Sequence, residues 1–150
     1  HTNGYSLARK ILFEQLRLKP AARIPGLRLS LGEELLRTHK NYQPLLVQVP
    51  VGKLKGLAHI TGGGLVDNLP RVLPGNCDAV IETGSWKVPA IFQLLQERGG
   101  VARAEMYQVF NMGIGMAVII SPNDAAAIGK KLRAKAIGRI ERGTGQTRLL

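Results

Sequence analysis

A chain of 150 residues with 45% apolar side chains has material for one core that needs no covalent staples, and its single cysteine, Cys77, excludes an internal disulfide and a clustered-cysteine zinc site. The formal charge of +11 admits nucleic acid, an anionic membrane, a phosphorylated metabolite or a protein surface as partner without choosing among them. The strongly apolar runs, such as Ala117 to Ile120, fall far short of the ~20 residues a membrane span requires, so no membrane is expected among the partners.

The chain opens on His1 with no Met and no basic-then-apolar leader, and so reads as part of something longer, without a secretory signal, in a reducing cytoplasm. Asn3-Gly4 is a turn feeding an amphipathic helix from Tyr5 to about Arg17, with Leu7, Ile11, Leu12 and Leu16 on one stripe. After the Pro20 and Ile24-Pro25-Gly26 loop, Ser30 and Glu33 stand at capping-box spacing ahead of Leu35 and Leu36, predicting a second short helix. Tyr42 to Val51, with Pro44 and Pro50, allows a short helix or a strand.

Leu57 to Thr61, Gly62-Gly63-Gly64 and Leu65 to Leu73 read as strand, glycine loop and helix, stopped by Pro74-Gly75. Cys77 to Glu82 is a further strand, Val88 to Arg98 and Ala102 to Val109 are helices, and Ile114 to Ile120 is the most strand-like segment. Ser121-Pro122 starts a helix to about Leu132, and Ala136 to Ile140 with Thr147 to Leu150 suggests a closing hairpin around Gly143 to Gly145. Strands separated by helices give an α+β (α/β layered) fold, a mixed β-sheet carrying helices, in one domain.

Four places have residues suited to chemistry. Gly62, Gly63 and Gly64 between strand and helix could cradle an anion with backbone N–H groups, or simply make a tight turn; the spacing fits neither a Walker A loop nor a dinucleotide fingerprint. His59, just before them, could donate to a developing negative charge or move a proton, but with Leu57, Ala58 and Ile60 as neighbours the competing reading is a core histidine. His1 to Gly4 supplies an imidazole, a hydroxyl and a carboxamide, with Asn3 equally a cap or turn residue. Asn111, with Gly113 and Gly115, could admit a ligand or mark a bulge. Trp86 and Phe110 read as core or domain-contact aromatics, and His39, in a polar stretch without a partner at ligand spacing, has no assigned role. The basic residues after Gly129 (Lys130, Lys131, Arg133, Lys135, Arg139, Arg142 and Arg148) face only Glu141 and have no aromatic neighbours, which describes a solvated surface better than a base-stacking platform.

Taken in order, His1-Thr-Asn-Gly-Tyr-Ser-Leu, Leu31-Gly-Glu-Glu-Leu-Leu, Gly56-Leu-Ala-His-Ile-Thr-Gly-Gly-Gly-Leu, Asn68-Leu-Pro-Arg-Val-Leu-Pro, Gly84-Ser-Trp and Phe110-Asn-Met-Gly-Ile-Gly-Met closely resemble the second half of the phosphoribosylformylglycinamidine cyclo-ligases, the aminoimidazole ribonucleotide synthetases. The resemblance implies the substrate-side, carboxy-terminal half of an enzyme of purine biosynthesis. That enzyme converts formylglycinamidine ribonucleotide and ATP to aminoimidazole ribonucleotide, ADP and phosphate, with Mg2+. It implies that ATP and Mg2+ are bound mainly by an amino-terminal half with no counterpart in these residues, that the parent is a homodimer, and that this chain alone is inactive.

Carried over by motif, the resemblance makes His59 the candidate catalytic residue and His1, Asn3, Gly62, Gly63, Gly64, Asn111 and Gly113 candidate substrate contacts, with no metal ligand. Two stretches depart from the family pattern: Thr38 to Gly52 looks altered, and Gly129 to Arg139 looks short. The alternatives are the corresponding domain of a related ATP-dependent kinase or synthetase, and a basic nucleic-acid-binding module. The His59 and Asn111 motifs favour the purine enzyme, for which no nucleic-acid partner is expected.

Overall fold

The computed structural model describes residues 3–150. Helix α1 (Tyr5–Arg9) widens into a π-helical stretch, Lys10–Gln15, in which the Leu16 N–H reaches back to the Ile11 carbonyl at 2.9 Å. Ile11 and Leu12 are fully buried from this segment, and Arg17 in the left-handed region ends it. Helix α2 (Leu31–Leu35) begins on the anticipated capping box: the Ser30 N–H donates to Glu33 Oε2 at 2.8 Å while the Glu33 N–H donates to the Ser30 hydroxyl. The segment whose sequence allowed either state is helical in part, as α3 (Gln43–Leu46) with Pro44 in its first turn, where a missing N–H costs nothing.

Strand β1 (Leu54–His59) pairs antiparallel with β3 (Met116–Ile120), so that Ala58 faces Ala117 and His59 faces Met116. Between them in sequence come α4 (Gly64–Asn68), β2 (Cys77–Ile81), α5 (Ala90–Gly99) and α6 (Arg103–Val109), and after them α7 (Pro122–Leu132), β4 (Gly138–Arg142) and β5 (Thr147–Leu149). The main core joins Leu12 of the π-helical segment, Leu31, Ile60, Leu65, Leu95, Met106 and Met112, all fully buried. A smaller cluster of Val49, Ile128 and Leu132 packs α7 beside Leu54, Val118 and Ile120. Helix α7 ends in a Schellman arrangement with Arg133 in the left-handed position, Ala134 N–H bonding the Gly129 carbonyl and Arg133 N–H the Lys130 carbonyl. The fold is α+β, and no helix among the described residues is long and apolar enough to cross a membrane.

The expected closing hairpin does not form. β4 and β5 lie on opposite sides of β2, antiparallel and parallel to it respectively, in the sheet order β4-β2-β5. The reason is Asp78, a buried carboxylate on β2 whose Oδ1 accepts from the N–H of Thr144 at 2.8 Å and of Gln146 at 2.9 Å. These bonds wrap the Gly143–Gly145 loop over the end of β2, and a Cβ at Gly143 would collide with the same carboxylate. The central strand thus takes the place that a hairpin partner would have had.

The N–H groups of Gln146 and then Thr144, reinforced by the Arg148 charge, hold the Asp78 carboxyl below its ordinary value of 3.8 against the opposing effect of burial. A depressed folded-state pKa means that the ionised group stabilises fully above the unfolded value and that this contribution is lost as pH falls through the lower folded value. Asp78→Asn is therefore expected to lower the urea midpoint at neutral pH and to flatten the loss of stability below about pH 4. An acid limb unchanged from the parent sequence would show that the loop does not depend on the charge.

Candidate functional site

Motifs far apart in the chain meet at the carboxy-terminal end of α6. The Asn3 carboxamide donates to the Val109 carbonyl at 2.9 Å across a separation of 106 residues, satisfying one of the acceptors that a helix end leaves open. Gly4 follows in the left-handed conformation, and a Cβ there would run into the Phe110 ring. Phe110 itself is buried and leads into Asn111. His1 lies outside the described residues.

The three glycines after β1 have three different surroundings. Gly62 is exposed, and a Cβ there would meet open space. Gly63, at φ +94°, starts α4, and its missing Cβ leaves room for Asp67, whose carboxylate Oδ2 would be 2.9 Å away. Gly64, buried at φ +56°, is turned toward α6, so that a Cβ would collide with the Tyr107 carbonyl. The turn is held from beneath by buried Asn68, whose Nδ2 donates to the carbonyls of Gly62 at 3.0 Å and Gly64 at 2.8 Å while its Oδ1 accepts from Arg71. Asn68 opens one of the six blocks that carry the family resemblance, yet sequence reasoning gave it no role of its own.

Asn111 is buried, and its Oδ1 accepts from the Gly113 N–H at 2.9 Å, forming a side-chain-closed turn through left-handed Met112. Gly113 lets this turn approach Pro89, where a Cβ would come within 2.6 Å of the proline Cδ. The turn also presents the Met112 carbonyl to the Trp86 indole N–H at 2.9 Å, and Trp86 and Phe110 both pack on the core. It delivers the chain into β3, extending the β1 ladder by the bond from Ile60 N–H to the Gly115 carbonyl at 3.0 Å.

His59 is the last residue of β1 and is exposed, whereas its neighbours Ala58 and Ile60 are buried at 2% and 0%. The alternation of the strand therefore overturns the core-histidine reading: two inward side chains flank one that points out. Its ring stands edge-on to His39, with centroids 5.2 Å apart, and to Tyr42 at 6.2 Å. A groove of about 460 Å³ beside it is lined by His39, Lys40, Asn41, Tyr42, His59 and Met116 among others. Burial raises the pKa of Tyr42 above its ordinary 10.0, so the phenol remains a hydrogen-bond donor at neutral pH.

Over residues 1–149 the sequence matches the family described as AIR synthase related protein, C-terminal domain. The chain belongs to that family. Similar relatives include phosphoribosylformylglycinamidine cyclo-ligases of Syntrophus aciditrophicus, 44% identical over 97% of this chain and 44% of that protein; of a Thermoanaerobacter strain, 45% identical over 97% of this chain and 45% of that protein; and of Bacillus thuringiensis, 46% identical over 98% of this chain and 44% of that protein. The chain thus spans a little under half the length of the curated relatives it matches.

In this AIR synthase C-terminal domain, the Asn3-Gly4 turn, the glycine turn and the Asn111 turn are brought together around the end of α6, and His59 projects from the end of β1 toward the segment Thr38 to Tyr42. His39 and Tyr42 are the site-lining residues that sequence reasoning passed over. No spacing connects them to His59, because their proximity is made by the fold.

Proposed function

We propose that this chain is the substrate-side, carboxy-terminal half of a cytoplasmic, ATP-dependent cyclo-ligase that converts formylglycinamidine ribonucleotide to aminoimidazole ribonucleotide, acting with an amino-terminal half in a homodimeric parent enzyme. The observation that carries the reading is the match, at 44–46% identity along nearly the whole chain, to less than half of proteins named phosphoribosylformylglycinamidine cyclo-ligase. The convergence of the three motifs beside an exposed histidine supports it.

Among the described residues no three His, Cys, Asp or Glu side chains gather to hold a metal ion, and the glycine turn keeps the Asp67 carboxylate against Gly63. These residues do not fit Mg2+ or a triphosphate, and in this reading both bind the amino-terminal half. The described chain supplies positioning and charge stabilisation. In this reading His59 donates a hydrogen bond to, or accepts a proton from, the amide undergoing ring closure, and the open space beside Gly62 lets substrate approach the turn. The fixed turns of Asn3 and Asn111 keep that strand end in register. With formylglycinamidine ribonucleotide, ATP and Mg2+, the chain by itself is expected to release no ADP above background; steady turnover by the chain alone would overturn the division of labour.

The basic surface is not read as a nucleic-acid interface. On β4 and β5, Arg139 pairs with Glu82 and Glu141, and Arg148 pairs with Asp78 and Glu141, so part of the positive charge is already matched. Titration with duplex and single-stranded DNA at physiological salt is expected to show only weak, salt-sensitive binding, in the range of about 10⁻⁴–10⁻⁶ M. A sequence preference with tighter affinity would favour the binding-module alternative.

A further inference from the structure

The three-stranded sheet has one covered edge and one open edge. At β5 the edge lies against α4, where the Thr147 hydroxyl donates to the Leu65 carbonyl at 3.4 Å. At the other end of the order β4-β2-β5, no strand among the described residues pairs beyond β4, and Gly138, Arg139, Ile140 and Arg142 are exposed. The phase of the ladder is fixed at both of its ends. The Glu82 N–H donates to the Ile137 carbonyl at 2.9 Å and the Gly143 N–H to the Asn76 carbonyl at 3.0 Å. With Val80 opposite Arg139 and Asp78 opposite Glu141, the backbone groups of Arg139 and Glu141 turn toward β2. Those of Ile140, between them, turn to the open edge.

The side chains of this edge are complementary to their own reverse. Arg139 and Glu141 share one face of the sheet and Ile140 occupies the other. A second β4 laid antiparallel, with Ile140 opposite Ile140, sets Arg139 opposite Glu141 twice. The central pair then exchanges two backbone hydrogen bonds, and the two charge pairs fall on the positions between, where facing side chains come closest. Ile140, a large apolar side chain left 39% exposed, is covered by its counterpart. Arg139 bonds its own Glu141 through Nε and Glu82 through Nη1, and a guanidinium with five N–H groups has capacity for a further carboxylate. Charges on an edge ordinarily keep strands apart; here a reversed copy meets the opposite sign at both positions.

We propose that β4 is a self-association edge, through which a second copy of this chain joins its sheet to the first about a two-fold axis at Ile140. The contact is isologous: Arg139, Ile140 and Glu141 of each copy meet Glu141, Ile140 and Arg139 of the other. It is made by described residues alone and does not rest on the cyclo-ligase reading.

One strand pair is a small contact, below the ~1,200 Å² of stable interfaces, so the association is weak. The test is sedimentation velocity of the 150-residue chain from about 10 μM to about 1 mM, in about 0.15 M salt, where a Debye length of about 8 Å screens the repulsion between two strongly basic chains. A reversible monomer–dimer equilibrium is expected. Ile140→Pro removes an N–H that faces the open edge and spares those bonded to β2, so it should weaken dimerisation at least about tenfold while nearly keeping the urea midpoint. Arg139→Glu and Glu141→Arg should each abolish self-association, because each sets like charges opposite one another at both positions. An equimolar mixture of these two variants should associate again, since one strand then carries two acids and the other two bases. This exchange remains decisive if the proline variant folds poorly. A chain that stays monomeric throughout the range overturns the proposal, as do dimers that persist in both charge variants and variants that fail to associate when mixed.

Discussion

Gly64→Ala is expected to destabilise the chain by about 2–5 kcal/mol, combining about 1–2 for a side chain held in the left-handed region with about 1–3 for overpacking a filled interior. The Cβ has no flexible neighbour to displace. It would meet the Tyr107 carbonyl, with the Phe110 carbonyl 2.9 Å away, and both belong to backbone at the end of α6. That end also receives Asn3, so the strain would spread to the Asn3-Gly4 turn. A loss of this size is a large part of the ~5–15 kcal/mol that a domain has in total. Gly62→Ala is the paired control. Its Cβ meets nothing and its φ is not positive, so its stability should change by no more than about 0.5 kcal/mol. Urea denaturation of the two variants checks both numbers, and equal effects would mean that the turn does not pack on α6 as described.

His59→Ala separates chemistry from folding in the opposite way. Because the side chain is exposed at the end of β1, its removal should leave the urea midpoint nearly unchanged. In the full-length enzyme it should lower turnover at least about tenfold, equivalent to about 1.4 kcal/mol of lost transition-state stabilisation. Normal turnover and normal substrate affinity in the variant would remove His59 from the mechanism. A large fall in stability without a change in turnover would give it a structural role that the strand alternation argues against.

The elements that sequence made legible are those whose determinants are local. Ser30 and Glu33 reciprocate across three residues, Pro122 sits in the first turn of α7, and the run ending at Ile120 is long and apolar enough to be a strand. What was not legible depends on distant groups. The partner of β4 and β5 is decided by Asp78, more than sixty positions away from the loop it organises. The three glycines look alike in sequence, yet open space, the Asp67 carboxylate and the Tyr107 carbonyl set their roles separately. The direction of His59 was available in principle from the period-two alternation of Ala58, His59 and Ile60, which the apolar character of those neighbours obscured. The contact between His39 and His59 had no such signal, since it joins a loop to a strand end across twenty positions.

We propose that this chain completes an ATP-dependent ring-closing enzyme. This is tested most directly by measuring aminoimidazole ribonucleotide formed from formylglycinamidine ribonucleotide, ATP and Mg2+ when the chain is mixed with the separately produced amino-terminal half. Product is expected from the mixture and none from either half alone. Docking of the two halves into a stable complex that binds ATP but forms no aminoimidazole ribonucleotide would contradict it.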